Sequence, residues 1–507
     1  MSRIRERTTA ARLAIPLVLL AMRQSLAGGP SVDVSRFVNP AFRAQEKKVI
    51  GFAWASPSPS VLRDRMKELE TAAPYLDGIV FKLPETPLGE WPPWRPAFDN
   101  RRWTESDVGL PVLCQVKWGR FRHNFIALGP GSSYDHAEAG WFDDEAWSVI
   151  VENAGLLSRA ILESGARGVF FDTEKYSGLW HYWHRESLRA SPPRKICLYP
   201  GFTFGQVEKK VRQRGREFLA ALQSHKPDVV VFATFLTSAC GKEPDSVETS
   251  DFPLLRAFTA GMLDAAGPRA TLVDGLENTY WTPNSQGYLW WHEQLKDQTV
   301  KVVPDDVREK WRSQCSTGMA VFYDAVAKGL YTEKLAVGED YRTRWLEHNA
   351  YHAVLTNDEW TWVYFEKTSP WKPEDVGPGF LSALARGIDK AKGHAPLGFD
   401  MTARTLDLTE PSRYYEDAAV RLRSPLSGEV FRRGQTITVQ AEPTGESAIQ
   451  SLRVFVDSRP VASLSAAPWR VGLTNCSTGP HTVRAEATVE GNRMCSYAAP
   501  VIIWLRP

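Results

Sequence analysis

The chain is poor in the residues and loops that usually hold a cofactor. Its 507 residues include only six cysteines and ten histidines. No two cysteines form a Cys-x-x-Cys pair, which disfavours a zinc ribbon or a thioredoxin-type site. There is no Gly-x-Ser-x-Gly elbow and no glycine-rich phosphate loop, so serine-elbow hydrolysis and nucleotide binding have no anchor. A formal net charge of +2, with Lys and Arg scattered, leaves nothing to attract nucleic acid. Past the N-terminal segment no apolar run is long enough to span a bilayer. No cofactor and no metal are expected. What the chain does have in quantity is tryptophan, 19 in all, many of them outside the apolar segments. Such flat faces serve either packing or ligand stacking.

Residues 1–27 read as a secretory signal: Arg3, Arg5, Arg7 and Arg12, then the apolar run Leu13 to Met22, then Ser25-Leu26-Ala27 before Gly28. A membrane anchor is the alternative. Export permits disulfides. Cys197 with Cys240 and Cys476 with Cys495 are the candidate pairs, and free thiols the plainer option. Residues 28–46 read as an extension.

Over residues 47–394 strands and helices alternate. The expected strands are Val49–Trp54, Leu76–Lys82, Asn124–Leu128, Gly168–Glu174, Val229–Phe235, Ala270–Asn278, Met319–Asp324 and Trp360–Glu366. The intervening helices are Ser60–Thr71, Leu113–Phe121, Trp141–Glu163, Phe204–His225, Phe252–Ala266, Tyr288–Cys315 (broken near Pro304), Tyr341–Leu355 and Gly379–Ala391. Eight strands, each followed by a helix, predict an α/β fold, a (β/α)8 TIM barrel, with a doubly wound open sheet as runner-up. After a polar linker, residues 395–418, short alternating strands predict a small all-β immunoglobulin-like sandwich over 419–507.

In such a barrel the active site lies at the carboxyl ends of the strands. The fourth strand closes an apolar run with Asp172 and Glu174, which share a face because strand side chains alternate. Glu277 follows the sixth strand and Glu366 ends the eighth. Cleaving a glycosidic bond needs a protonated acid and a second carboxylate. Glu174 is the expected acid, with Asp172 holding its proton or stabilising the developing cation. Glu277 is the expected base or nucleophile, and Glu366 the next choice. Trp54, Lys82, Asn124, Tyr176, Trp180, Asn278, Tyr280, Trp281, Tyr323 and Asp324 are the expected substrate contacts. Trp91, Trp94, Trp183 and Trp371 also follow strands and could face sugar rings. His348 and His352 stand four apart on an outer helix with no Glu after the first, so they read as a solvated face rather than a zinc site. His181 and His184 have no third ligand.

Three resemblances extend this reading. Ser424–Phe431, Arg453–Asp457 and Gly479–Ala485 resemble bacterial immunoglobulin-like modules, which are often appended to secreted polysaccharide-active enzymes. Asn124–Ile126, Trp141–Asp144, Gly168–Tyr176 and Val211–Glu217 resemble exported glycoside-hydrolase-like barrels of environmental bacteria, a group with no assigned substrate. The fourth strand is also similar to family 18 chitinases, in which an Asp-x-Glu supplies the acid and the substrate acetamide the nucleophile. Asp172 and Glu174 match that ending and Tyr280 is compatible with it. Phe170 and Arg167 replace the earlier acids, so a second carboxylate must come from another strand. The expected protein is a secreted or periplasmic glycoside hydrolase with a carbohydrate substrate. A carbohydrate-binding barrel without turnover, and a lyase or transglycosidase, are the alternatives.

Overall fold

A computed structural model describes residues 30–35, 46–83, 95–129, 140–174, 178–240, 244–282, 285–329, 338–399, 401, 420–444, 448–457, 459–489, 496–497 and 500–507. The expected signal segment, most of the linker, Trp91, Trp94, Tyr176 and Cys495 lie outside the described residues. The chain divides into two compact units, residues 41–412 and residues 1–40 with 413–507.

The larger unit is built on parallel strands: β1 (Lys48–Ala53), β2 (Gly78–Phe81), β3 (Phe125–Gly129), β4 (Gly168–Phe171), β5 (Val230–Ala233), β6 (Thr271–Asp274), β7 (Cys315–Thr317), β8 (Met319–Phe322) and β9 (Trp360–Phe365). Their order in the sheet is β8-β9-β1-β2-β3-β4-β5-β6-β7, with the two-residue strand Arg95–Pro96 beside β3. Only Gly318 separates β7, which pairs with β6, from β8, which pairs with β9. The two ends of the sheet therefore meet through one residue, and the ring is nearly closed. A Cβ on Gly318 would sit 3.1 Å from both the Gly275 Cα and a Val273 methyl.

Most of these strands are largely apolar because both faces are covered, β7 (Cys315-Ser316-Thr317) being the exception. Phe52, Val80, Phe125, Phe170, Phe232, Val273, Phe322, Trp360 and Trp362 belong to one buried cluster inside the ring. Helices such as Asp144–Ser164, Phe204–Gln223 and Pro253–Ala265 bury their apolar faces outside it. Among the described residues no helix is long and apolar enough to cross a membrane.

Several expectations change here. The helix expected over Leu113–Phe121 is a single turn, Leu110–Leu113. The helix carrying His348 and His352 is no solvated face: every residue from Trp345 to Thr356 is buried. The two imidazoles lie 4.4 Å apart, and burial with the neighbouring His348 holds His352 well below the ordinary histidine range. Cys197 and Cys240 are free thiols, and Cys240 Sγ faces the carbonyls of Leu236 and Phe252.

The smaller unit packs two sheets around Val420, Ile437, Val454, Val471, Val483 and Ile503. The strand Ser31–Asp33 belongs to it, pairing parallel to Arg470–Thr474 in the register Ser31 to Gly472. The expected N-terminal extension is thus, in part, a strand of the C-terminal module. Its Val34 is 1% exposed in that core.

Asp457, His481 and Ser477 in this module have the outline of a nucleophilic triad. Imidazole Nδ1 lies 2.6 Å from Asp457 Oδ2, and Nε2 lies 3.2 Å from Ser477 Oγ but 2.8 Å from the Ser477 carbonyl oxygen. A carboxylate and a carbonyl both accept, so both ring nitrogens must carry protons, and no base remains to activate the serine. Burial works to lower the His481 pKa, but Asp457 and the Ser477 carbonyl outweigh it and hold it above the ordinary value. The sign follows: the group stabilises the module fully below the unfolded histidine pKa and loses that contribution as pH rises through the raised value. Calorimetry of the full chain should show the module's transition moving down as pH rises above the ordinary histidine value. His481→Leu, which leaves Asp457 buried without its partner, should cost about 3 kcal/mol and flatten that dependence. A pH-independent transition in the unsubstituted chain refutes the assignment.

Candidate active site

Phe170 points into the ring, so the alternation carries Asp172 and then Glu174 along the same face beyond the end of β4. Asp172 is buried and Glu174 half-buried. The backbone N–H of Glu174 donates to Asp172 Oδ1 at 2.9 Å. Thr173, between them, turns the other way. Its hydroxyl donates to the Phe235 carbonyl at 2.7 Å, and its own carbonyl accepts the Trp180 indole N–H at 2.9 Å. The acidic turn is therefore pinned from behind.

The second acid-bearing turn follows β6. Leu276 takes a left-handed conformation, φ 44°, and a 3-10 helix runs Glu277–Trp281. Thr279 fastens it, its hydroxyl donating to the carbonyls of Leu276 and Ala320. Thr234, just past β5, joins the two turns. Its hydroxyl accepts the Thr173 N–H at 3.1 Å, and its carbonyl accepts the Glu277 N–H at 3.1 Å. The Tyr280 phenol lies beside Glu277. Its ring stacks on Tyr364 at 5.7 Å and 10° and lies 5.3 Å from Trp362, whose indole N–H donates to the Gly275 carbonyl.

The electrostatics show which acids the fold brings together. Burial first, and then the neighbouring Glu174, push Asp172 up to about 7. Burial, Glu174 and Asp172 likewise push Glu277 well above the usual carboxylate range, opposed by the neighbouring Tyr280 phenol. Tyr364 is raised by burial and by Glu366, Asp172, Glu277 and Glu174, so its phenol shares one site with all four acids. Desolvation and mutual repulsion among these carboxyls thus favour the protonated forms of Asp172 and Glu277. Glu366 forms an ion pair with Lys367 at 3.1 Å, and the Lys367 ammonium lies 4.1 Å above the half-buried Trp54 ring.

Other expected contacts lie elsewhere. Asn124 precedes β3 rather than following it; it is buried at the amino ends of the strands, accepting from Ile79 N–H and donating to the Phe121 carbonyl. Trp180 is fully buried against Trp141 and Phe258 outside the ring. Tyr323 is buried against Phe365. Asp324 is also buried, and its Oδ2 accepts the backbone N–H groups of Glu366, Lys367 and Thr368. It holds the loop after β9 rather than a sugar. Lys82 is buried just past β2, and Asn278 is exposed. Trp371 is 6% exposed and packs edge-on to Phe121. Tyr176 and the Trp281 side chain lie outside the described residues. Among the described residues no group of three His, Cys, Asp or Glu could hold a metal ion.

Thr234 and Tyr364 belong to the site although neither is among the expected contacts. A threonine ending an all-apolar strand, and a tyrosine two residues before Glu366 on the inward face, are the signals that mark them.

Residues 419–485 match the bacterial Ig domain family. No curated protein matches the chain. Among solved structures, an endo-beta-1,4-mannanase from Thermotoga petrophila is 8% identical over 92% of this chain and 99% of its own, with a TM-score of 0.36. A Bacteroides uniformis beta-glucuronidase is 9% identical over 91% of this chain and 46% of its own, with a TM-score of 0.29. Fibronectin(III)-like modules of Clostridium thermocellum CbhA are 20% identical over 17% of this chain and 93% of theirs, with a TM-score of 0.16. With TM-scores this low, none of the three bears on what the chain does.

Proposed function

We propose that the chain is an exported glycoside hydrolase, built on a (β/α)8 barrel whose closing strand is broken at Gly318 into β7 and β8. The observation that carries this reading is the union of Asp172, Glu174 and Glu277 in one buried, proton-retaining site lined by Tyr280 and Tyr364. Glu174 is half-buried, so it can reach a ligand, and it donates the proton to the leaving oxygen. Asp172 orients that turn and keeps the shared proton available. Glu277 acts as base or nucleophile in the form that has given up its proton, a form that burial and the neighbouring acids disfavour and that the Tyr280 phenol partly restores. Trp54, Asn278 and the stacked tyrosines supply the faces and polar atoms that a sugar needs.

The pH dependence has a definite sign. Asp172 titrates at about 7, so the proton-bearing form is lost as pH rises through that value. Screened on a panel of glycans, hydrolysis should fall on the alkaline side with a midpoint near pH 7 and lose about tenfold for each further pH unit. A rate that stays level from about pH 6 to pH 9 on a cleaved glycan removes the shared-proton reading. Absence of cleavage on every glycan removes the hydrolase.

A further inference from the structure

The Ig-like module carries a charge arrangement that the proposed hydrolysis does not use. Over residues 419–507 it has ten arginines, no lysine and six acidic residues. Most of the described acids are already engaged. Arg421 and Arg423 share Glu442, Arg453 is paired with Glu486, and Asp457 holds His481.

Arg432 and Arg506 are different. The strand Val430–Arg432 is the edge of its sheet and runs parallel to Val501–Arg506, with Arg432 directly opposite Arg506. Phe431 and Leu505, their neighbours in register, pack into the core, so the two arginines share the outward face. Both are exposed, as is Arg433, whose backbone N–H donates to the Arg506 carbonyl at 2.8 Å. No described carboxylate forms an ion pair with any of the three. The turn is stiffened by Gln435, whose backbone N–H donates to the Arg432 carbonyl and whose side chain accepts the Arg432 N–H.

Like charges directly opposite on neighbouring strands destabilise a sheet. A charge on an edge strand discourages edge-to-edge pairing, but one arginine would serve that purpose. Two arginines opposed across strands roughly 4.8 Å apart, with a third next in the chain, offer instead a cluster of paired N–H donors suited to the two oxygens of a carboxylate or to two oxygens of a tetrahedral sulfate. We infer that the Arg432–Arg433–Arg506 edge is a binding site for anionic groups borne on a polysaccharide, uronate carboxylates or sulfate esters. It makes the module an anchor to an acidic glycan, independently of what the barrel cleaves.

The test uses the full chain on immobilised heparin and on polygalacturonate, with R432S/R506S and, as a control of equal charge change, R421S/R423S. The unsubstituted chain should bind both glycans and be released by salt, because exposed ion pairs are screened. R432S/R506S should lose affinity by on the order of tenfold or more while keeping the module's melting transition, and R421S/R423S should bind nearly as the unsubstituted chain does. The inference is overturned if the unsubstituted chain binds neither glycan, or if both double variants weaken equally, since the charge then acts diffusely. Tighter, arginine-dependent binding to phosphatidylglycerol vesicles would assign the edge to a lipid surface instead. Unchanged glycan binding by R432S/R506S with new self-association would leave it as an edge guard only.

Discussion

Glu174→Gln should reduce hydrolysis of any glycan the chain cleaves by on the order of a thousandfold, with binding of that glycan retained. The amide keeps the shape and polarity of the side chain but has no proton to deliver, and a positioned acid supplies about 10²–10⁴ in rate. Calorimetric binding and turnover measured on the same preparation separate the two effects. The substitution also removes the charge that, after burial, does most to raise Asp172, so the residual activity should have its alkaline midpoint moved to lower pH. Unchanged turnover would exclude Glu174 as the acid, and loss of binding with loss of rate would make it a ligand contact.

The second large effect is on folding. Gly168 opens β4 opposite Val230, and a Cβ there would lie 1.8 Å from the Val230 carbonyl oxygen. Only a shift of two neighbouring strands could make room, so Gly168→Ala should cost at least about 4 kcal/mol and leave little folded protein. Gly155→Ala is the matched control. It sits in the helix Asp144–Ser164 with nothing within 4 Å of the added carbon, and should stabilise by about 0.5–1 kcal/mol. Urea denaturation of the two variants beside the unsubstituted chain decides it, and a Gly168→Ala midpoint within error of the original would refute the close strand contact.

Much of this arrangement is legible in the sequence because it depends on local pattern. Continuous apolar runs such as Val49–Ala53 and Val229–Ala233 identify strands covered on both faces, and the two-residue period carries Asp172 and Glu174 to one side. What local pattern cannot encode is the partner a residue meets across the chain. Asp324 reads as a rim acid, yet its oxygen accepts three backbone N–H groups from the loop after β9. Asp274 is likewise taken up by the N–H and hydroxyl of Ser238. His348 and His352 read as solvated because polar residues usually are, whereas their helix is enclosed on every side along its last three turns. Trp180 is expected to touch substrate because it follows a strand, whereas it packs fully buried against Trp141 and Phe258. Thr234 joins the turns bearing Asp172 and Glu277, residues 62 and 43 positions away along the chain, a link visible only in three dimensions.

The strand Ser31–Asp33 has a consequence for how this protein can be taken apart. Its hydrogen-bonding partner lies about 440 positions later, since the Thr474 hydroxyl donates to the Val32 carbonyl. The Ig-like module is therefore discontinuous in the gene, one strand written before the parallel-strand unit and the rest after it. A cassette cut at residue 419 for grafting onto another enzyme would leave that strand behind, baring the flank of Arg470–Thr474 and a gap where Val34 belongs. The portable unit is residues 30–35 together with 420–507, and a fusion design has to supply both pieces.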